Sequence, residues 1–254
     1  MDFVKVEGLG NDFIVVDGPF DPDPEAISRW CDRHFGIGAD GVLELTPVAS
    51  DTIRMRYWNA DGSEAEMCGN GLRCLVRVAV ERGLVETRDV VVETAAGPLA
   101  ASLRADGLVR ARVGTPVRGA DPFDFEGMRV HPVSIGNPHA VVFVPDTGTA
   151  PVREAGPLIE AHEAFPDRAN VEFVAAAGRQ LIDVRVWERG VGETKASGTG
   201  AAAASFAAVT YRDVVSPVEV ALPGGTLTIE INEDGAWMTG PANIVYVGSV
   251  DQST

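Results

Sequence analysis

Two short turns carry the residue types best suited to chemistry. Met67-Cys68-Gly69-Asn70-Gly71 and Ala196-Ser197-Gly198-Thr199-Gly200 each lie directly ahead of a segment expected to be helical. A helix N-terminus leaves backbone N–H groups without intrahelical partners and carries the positive end of the helix dipole, so it binds anions, carboxylates included. Glycine lacks a Cβ and lets a ligand approach that backbone closely. Two such turns facing each other in a duplicated fold would hold one carboxylate from both sides. A cysteine at such a terminus has its thiol pKa drawn from about 8.5 into a range of roughly 3.5–7.5, so Cys68 would offer thiolate as a base at neutral pH. A lone Cys-Gly is more often an inert packed residue; the second turn shifts the reading towards chemistry.

The turns are part of a longer internal repeat. Arg56-Tyr57-Trp58-Asn59 aligns with Arg185-Val186-Trp187-Glu188 at an offset of 129 residues, and the same offset puts Glu64 on Glu193, Cys68 on Ser197, Gly69 on Gly198 and Gly71 on Gly200. Gly10-Asn11 matches Gly136-Asn137 at 126, and Asp106-Gly107 matches Asp234-Gly235 at 128. Matches in one order at nearly one spacing indicate duplication. Two similar domains are expected, 1–116 and 117–254, joined through the Gly- and Pro-rich stretch from Gly114 to Pro122.

The elements that must position the turns follow the same plan in each half. Alternation and β-branched content predict strands at 3–5, 13–17, 52–58, 90–93, 100–103 and 109–113, and again at 140–144, 171–174, 181–187, 218–222, 227–231 and 236–239. Helical spacing predicts helices at 24–34, 71–82, 154–162 and 200–212. Many strands with about two helices per half make an α+β fold, and no alternating βαβ pattern suggests a parallel sheet.

Composition narrows the function classes. The chain has 254 residues, 45% hydrophobic, with 21 Lys plus Arg against 37 Asp plus Glu, a formal charge of −16. That acidity argues against a nucleic-acid partner, since phosphate contacts need clustered Lys and Arg. No leader pattern or span of ~20 apolar residues is evident, so no membrane partner is expected. Three cysteines do not make a disulfide framework, and a reducing cytoplasm is the expected location. No Cys, His and carboxylate cluster has zinc-ligand spacing, so no metal is expected. Cys31 and Cys74 are read as core packing. A homodimer is the default for a small-molecule metabolic enzyme.

The motifs as a set resemble the diaminopimelate epimerases. Asn59-Ala60-Asp61-Gly62-Ser63 with Met67-Cys68-Gly69-Asn70-Gly71-Leu72-Arg73-Cys74 is similar to the first active-site motif of that family, and Glu188-Arg189-Gly190-Val191-Gly192-Glu193-Thr194 with Ser197-Gly198-Thr199-Gly200 to the second. Similarity extends to Gly8–Phe13, His34–Gly41, Gly136–His139 and Leu222–Gly225. The resemblance implies two pseudo-symmetric domains, each a barrel-like, mostly antiparallel sheet around a central helix, with the site in the cleft between them. It implies a cofactor-independent epimerisation of LL- to meso-2,6-diaminopimelate, a step of lysine and cell-wall precursor synthesis. One cysteine removes the α-proton as thiolate and the other returns a proton to the opposite face. Electrostatic preorganisation at two helix ends replaces a pyridoxal electron sink. By the resemblance, Cys68 and residue 197 are catalytic. Gly69, Asn70, Gly198 and Thr199 cradle the reacting carboxylate. Arg189 with Asn59, Asn137 and Asn170 fixes the distal carboxylate, and Glu188 partners an ammonium group. Asn11 and His139 line the site.

Ser197 departs from the family pattern, which expects cysteine there. A serine hydroxyl has no ionised state near neutral pH, and no adjacent histidine is evident in the sequence to activate it. Three readings stay open. Ser197 is an engineered replacement that holds substrate without turnover. Or the natural enzyme runs a related reaction, as a racemase for another amino acid or a dehydratase or lyase that removes a proton from one side. Or the chain is a ligand-binding relative that has lost catalysis. The intact remaining motifs favour the first, or a close natural variant.

Overall fold

A computed structural model describes residues 1–250 of the chain. In order, the elements are β1 (Asp2–Gly8), β2 (Asn11–Asp17), α1 (Pro24–Cys31), β3 (Gly41–Ala49), β4 (Thr52–Asn59), β5 (Glu64–Ala65), α2 (Gly69–Glu81), β6 (Asp89–Thr94), β7 (Gly97–Leu103) and β8 (Val109–Gly114). They continue with β9 (Val117–Arg118), β10 (Phe123–Phe125), β11 (Met128–Ser134), β12 (Pro138–Phe143), α3 (Val152–Glu160), β13 (Asn170–Ala176), β14 (Leu181–Glu188), β15 (Gly192–Thr194), α4 (Gly198–Tyr211), β16 (Val218–Leu222), β17 (Gly225–Asn232), β18 (Gly235–Gly240) and β19 (Asn243–Ser249). The fold is a mixed-sheet α+β architecture.

The chain divides into two compact units. One runs from Met1 to Ala111 and includes the C-terminal segment from Gly240; the other is Arg112–Thr239. Division into 1–116 and 117–254 leaves the last strand in the second half, whereas β19 pairs antiparallel with β1, Asp2 opposite Ser249 and Val4 opposite Val247. No local pattern announces a pairing between the two ends of a chain.

In the first unit β2 runs parallel to β3, with Phe13 opposite Gly41, and α1 makes the crossover. β4 runs parallel to β6, and α2 makes that crossover. Antiparallel pairings join β1 to β2, β3 to β4 and β6 to β7. The sheet wraps α2, which packs against β1, β2, β3, β4, β6, β7 and β19. Leu72, Leu75, Val76, Val78 and Ala79 of that helix are buried with Phe13, Leu43, Leu45, Ile53 and Val92. This burial, rather than helix propensity, stabilises α2.

The second unit repeats the plan. β12 runs parallel to β13 across α3, and β14 parallel to β16 across α4. α4 packs against β11, β12, β13, β14, β16 and β17. Its residues Ala201–Ala204, Ala207 and Ala208 are fully buried, and these short side chains let strands close around the helix.

The sequence pattern suggested no parallel strands, and this is corrected: every helix bridges a parallel pair. The reason lies in β3. Gly41–Leu45 is buried without interruption, Glu44 included, so its burial does not follow the sequence polarity by which strands are read. With β3 unread, the β2–α1–β3 crossover is invisible. No helix among the described residues is long and apolar enough to cross a membrane.

Candidate active site

In the first unit β4 delivers the chain to the turn. Asn59 closes the hairpin into β5 by donating its Nδ2 to Ser63 Oγ at 3.0 Å. Cys68 then caps α2 in an extended conformation, φ −134° and ψ 119°, and its side chain makes no cap hydrogen bond. The first helical bond runs from Leu72 N to Cys68 O at 2.8 Å, so the amides of Gly69, Asn70 and Gly71 come ahead of it. Gly71 is closely packed: a Cβ there would lie 3.0 Å from Leu43 Cδ2 and 3.5 Å from Cys68 Cβ.

Asn11 holds the cysteine. Its Oδ1 lies 3.7 Å from Cys68 Sγ, which donates to it, and accepts from Asn70 Nδ2 at 3.2 Å. The amide is oriented from its other end, where Nδ2 donates to Asp40 Oδ2 at 2.7 Å. Asp40 and Asp12 are clamped by Arg33, at 2.7 and 2.6 Å, and Lys5 pairs with Asp12 at 2.5 Å. Burial opposes the Asp12 charge, yet hydrogen bonds from Arg33 and Lys5 outweigh it and hold the carboxyl below its usual 3.8. Asn70 Oδ1 accepts from Arg73 Nη2 at 3.0 Å, and the fully buried Arg73 also donates from Nε to Pro241 O. A buried guanidinium behind the first turn adds to the positive potential of the helix end.

The second unit rebuilds the same turn. Ser197 caps α4 with φ −133° and ψ 125°, within a few degrees of Cys68. The side chains differ. Ser197 Oγ accepts from Gly200 N at 3.2 Å, the N-cap bond that serine favours and cysteine does not make here. A Cβ on Gly200 would lie 2.9 Å from Glu172 Oε1 and 3.0 Å from Ser197 Oγ. Below the turn, Glu172 Oε1 meets His139 Nδ1 at 2.7 Å, and His139 Nε2 meets Asn137 Oδ1 at 3.0 Å.

Glu188 ends β14 as Asn59 ends β4, and accepts from Thr194 Oγ1 at 2.5 Å. Arg189 donates from its backbone N to Asn170 Oδ1 and from Nη1 to Asp167 O, both at 3.0 Å. Asn170 donates from Nδ2 to Pro138 O at 3.3 Å, so it ties the Arg189 turn to β12. Gly198 and Thr199 open α4 as Gly69 and Asn70 open α2.

Contacts therefore join Asn11, Cys68 and Asn70 in one cluster, Asn137 and His139 in a second, and Asn170 and Arg189 in a third. Asn59 and Glu188 bond within their own hairpins. Grooves bordered by Asp146, Thr149 and Glu154, and by Arg54, Arg56 and Glu93, contain none of these residues. Cys31 and Cys74 are buried, and burial pushes both thiols up to about 12, so neither supplies thiolate at neutral pH. Sequence reasoning assigned no role to Arg73 or Glu172. Each is a charged residue inside an apolar run, Leu72-Arg73-Cys74-Leu75 and Val171-Glu172-Phe173, and that interruption was the available signal.

The clamp on Asn11 has a pH signature. Because the folded pKa of Asp12 is lowered, its contribution to stability is complete above its unfolded value and is lost as pH falls through the folded one. Asp12→Asn should flatten the acid limb of a Tm-against-pH curve below about pH 4. A limb as steep as that of the parent would show that the clamp contributes nothing.

Comparison with known proteins shows the family. The family model described as diaminopimelate epimerase matches residues 3–119 and 132–245. A diaminopimelate epimerase of Desulforudis audaxviator is 45% identical over 273 residues, covering 98% of each chain. One from Pelotomaculum thermopropionicum is 43% identical over 280 residues, covering 100% of each. The solved structure of a predicted epimerase from Pseudomonas aeruginosa superposes with a TM-score of 0.79 at 19% identity, covering 98% of both chains. On the strength of the whole-chain match, this chain belongs to the diaminopimelate epimerase family.

Proposed function

We propose that the chain acts on 2,6-diaminopimelate as a cofactor-independent isomerase interconverting the LL and meso forms, with its two helix-entry turns serving opposite faces of one α-carbon. The observation that carries the reading is the pair of matched caps at residues 68 and 197, each followed by Gly-x-Gly on a buried helix.

In this mechanism Cys68, once ionised to the thiolate, takes the α-proton as the Cα–H bond breaks, and the electron pair moves into the α-carboxylate as an enediolate. Amides of Gly69, Asn70, Gly198 and Thr199 stabilise the developing charge, a donor set fixed before reaction and costing little reorganisation. Glu188 pairs with an ammonium group, and Arg189, Asn59, Asn137 and Asn170 select a substrate with a second carboxylate. A proton returned from the face served by residue 197 completes the inversion. Ser197 has a proton to give, but an alkoxide is too basic to form at neutral pH without a partner base. Epimerisation is therefore slow, while exchange at the face served by Cys68 persists.

Ser197 itself favours a second reading, one-sided proton removal followed by loss of water or ammonia from a related amino acid. Incubation with LL-diaminopimelate in deuterated water separates the two. Deuterium should enter at Cα with little inversion, Cys68→Ala should abolish entry, and Ser197→Cys should raise epimerisation by about 100-fold or more. Eliminated product would favour the second reading. Neither exchange nor any gain in Ser197→Cys would refute the first.

Three free thiols suit a reducing compartment, and we assign the protein to the cytoplasm. We also propose a homodimer. Val245, Tyr246 and Val247 of β19 are exposed at 55%, 44% and 71%, an apolar stretch of the kind that marks association surfaces. Sedimentation should give a dimer, and Tyr246→Glu should shift it to monomer. A parent chain that sediments as monomer at micromolar concentration would remove this part.

A further inference from the structure

The two units differ below their helix-entry turns. In the first unit Phe13 and Leu43 fill that space on the parallel pair β2 and β3, and Gly71 abuts Leu43. In the second, His139 and Glu172 occupy the corresponding places on the parallel pair β12 and β13, and Gly200 abuts Glu172. His139 and Glu172 are both fully buried. The fold thus builds this layer once from hydrocarbon and once from a buried acid and imidazole. Burying such a pair is costly relative to apolar residues of similar volume, so the fold alone does not call for it.

The hydrogen-bond polarity shows what the pair does. Asn137 Oδ1 can only accept, so the His139 Nε2 facing it at 3.0 Å carries a hydrogen. Nδ1 and Glu172 Oε1, 2.7 Å apart, hold one proton between them. The pair is then neutral overall whichever atom carries that proton, and Nε2 remains a donor in both arrangements. Glu172 Oε2 is buried without a hydrogen-bond partner, and burial raises the Glu172 pKa, so the shared proton is not readily lost. With Oδ1 engaged, the free end of Asn137 is its Nδ2, a two-hydrogen donor suited to an anion.

We infer that Glu172 is a positioning residue that acts through His139 to lock the Asn137 amide with its donor end towards the ligand, and so sets selectivity for a substrate bearing a second carboxylate. The inference deepens the proposed function and rests on it for the identity of the ligand. Freed from the lock, Asn137 can turn its carbonyl towards the carboxylate, which would repel it.

The test transplants the apolar layer of the first unit. His139→Phe/Glu172→Leu should fold with a Tm at or above that of the parent. Its affinity for LL-diaminopimelate should fall by about 10- to 100-fold, the loss of one hydrogen bond to a charged group. In Glu172→Leu alone, affinity for L-lysine, which lacks the second carboxylate, should be unchanged. Glu172→Leu alone should show the same selectivity loss. Equal weakening towards both ligands, or none towards either, would overturn the inference. A second arm needs no ligand: nitrogen-15 NMR of the parent should show a hydrogen on His139 Nε2, and a Nδ1–H tautomer with bare Nε2 would overturn the inference. If the parent fails to bind LL-diaminopimelate, the substrate reading falls, and the NMR arm still decides the Glu172–His139–Asn137 chain.

Discussion

Amides at the start of a buried helix form a fixed concentration of positive charge, and the rest of this molecule is organised around two of them. A helix dipole contributes only about 1–2 kcal/mol even when partly buried. The effect becomes useful for enolisation only if the amides are held still and kept from water. Enclosure of the helix bodies meets the first, while at the turns Asn70 and Gly198 are buried and Gly69 and Thr199 half-buried. α2 and α4 are wrapped by strands along their length, and the residue before each helix is held extended so that the first turn begins abruptly. The glycines at 71 and 200 suit the same constraint, since a Cβ would crowd the Leu43 or Glu172 side chain beneath.

The turns share a backbone and differ in what surrounds it. Around Cys68 the scaffold is ionic and partly exposed, with Lys5, Asp12, Arg33 and Asp40 fixing one asparagine whose carbonyl oxygen meets the thiol. Around Ser197 it is buried, and the caps are made by the hydroxyl itself. Serine is the better cap and the poorer base. Serine at residue 197 therefore caps the helix start and leaves that turn without a group that ionises near neutral pH.

Legibility in the sequence followed the range of each interaction. Both turns are contiguous, and their glycines, cap residues and following helices could be read locally, as could the repeat at an offset of 129 between Arg56 and Arg185. β3 could not, because Gly41–Leu45 is buried on both faces with Glu44 among the buried residues, so its polarity does not report its burial. β19 could not be placed, because its partner lies at the other end of the chain. The charge of Glu172 stands out between Val171 and Phe173, but its partner does not, because only the parallel register of β12 and β13 brings it beside His139. The ionic clamp on Asn11 is likewise a product of topology, as Asp40 arrives by the α1 crossover.

The central claim is that both helix starts grip one carboxylate. Titration of the isotopically labelled chain with LL-diaminopimelate, followed through the backbone amide signals of Gly69, Asn70, Gly198 and Thr199, tests it most directly. The account predicts that all four shift together along a single saturation curve at one ligand per chain. Shifts confined to one turn, or two curves with separate midpoints, would contradict it.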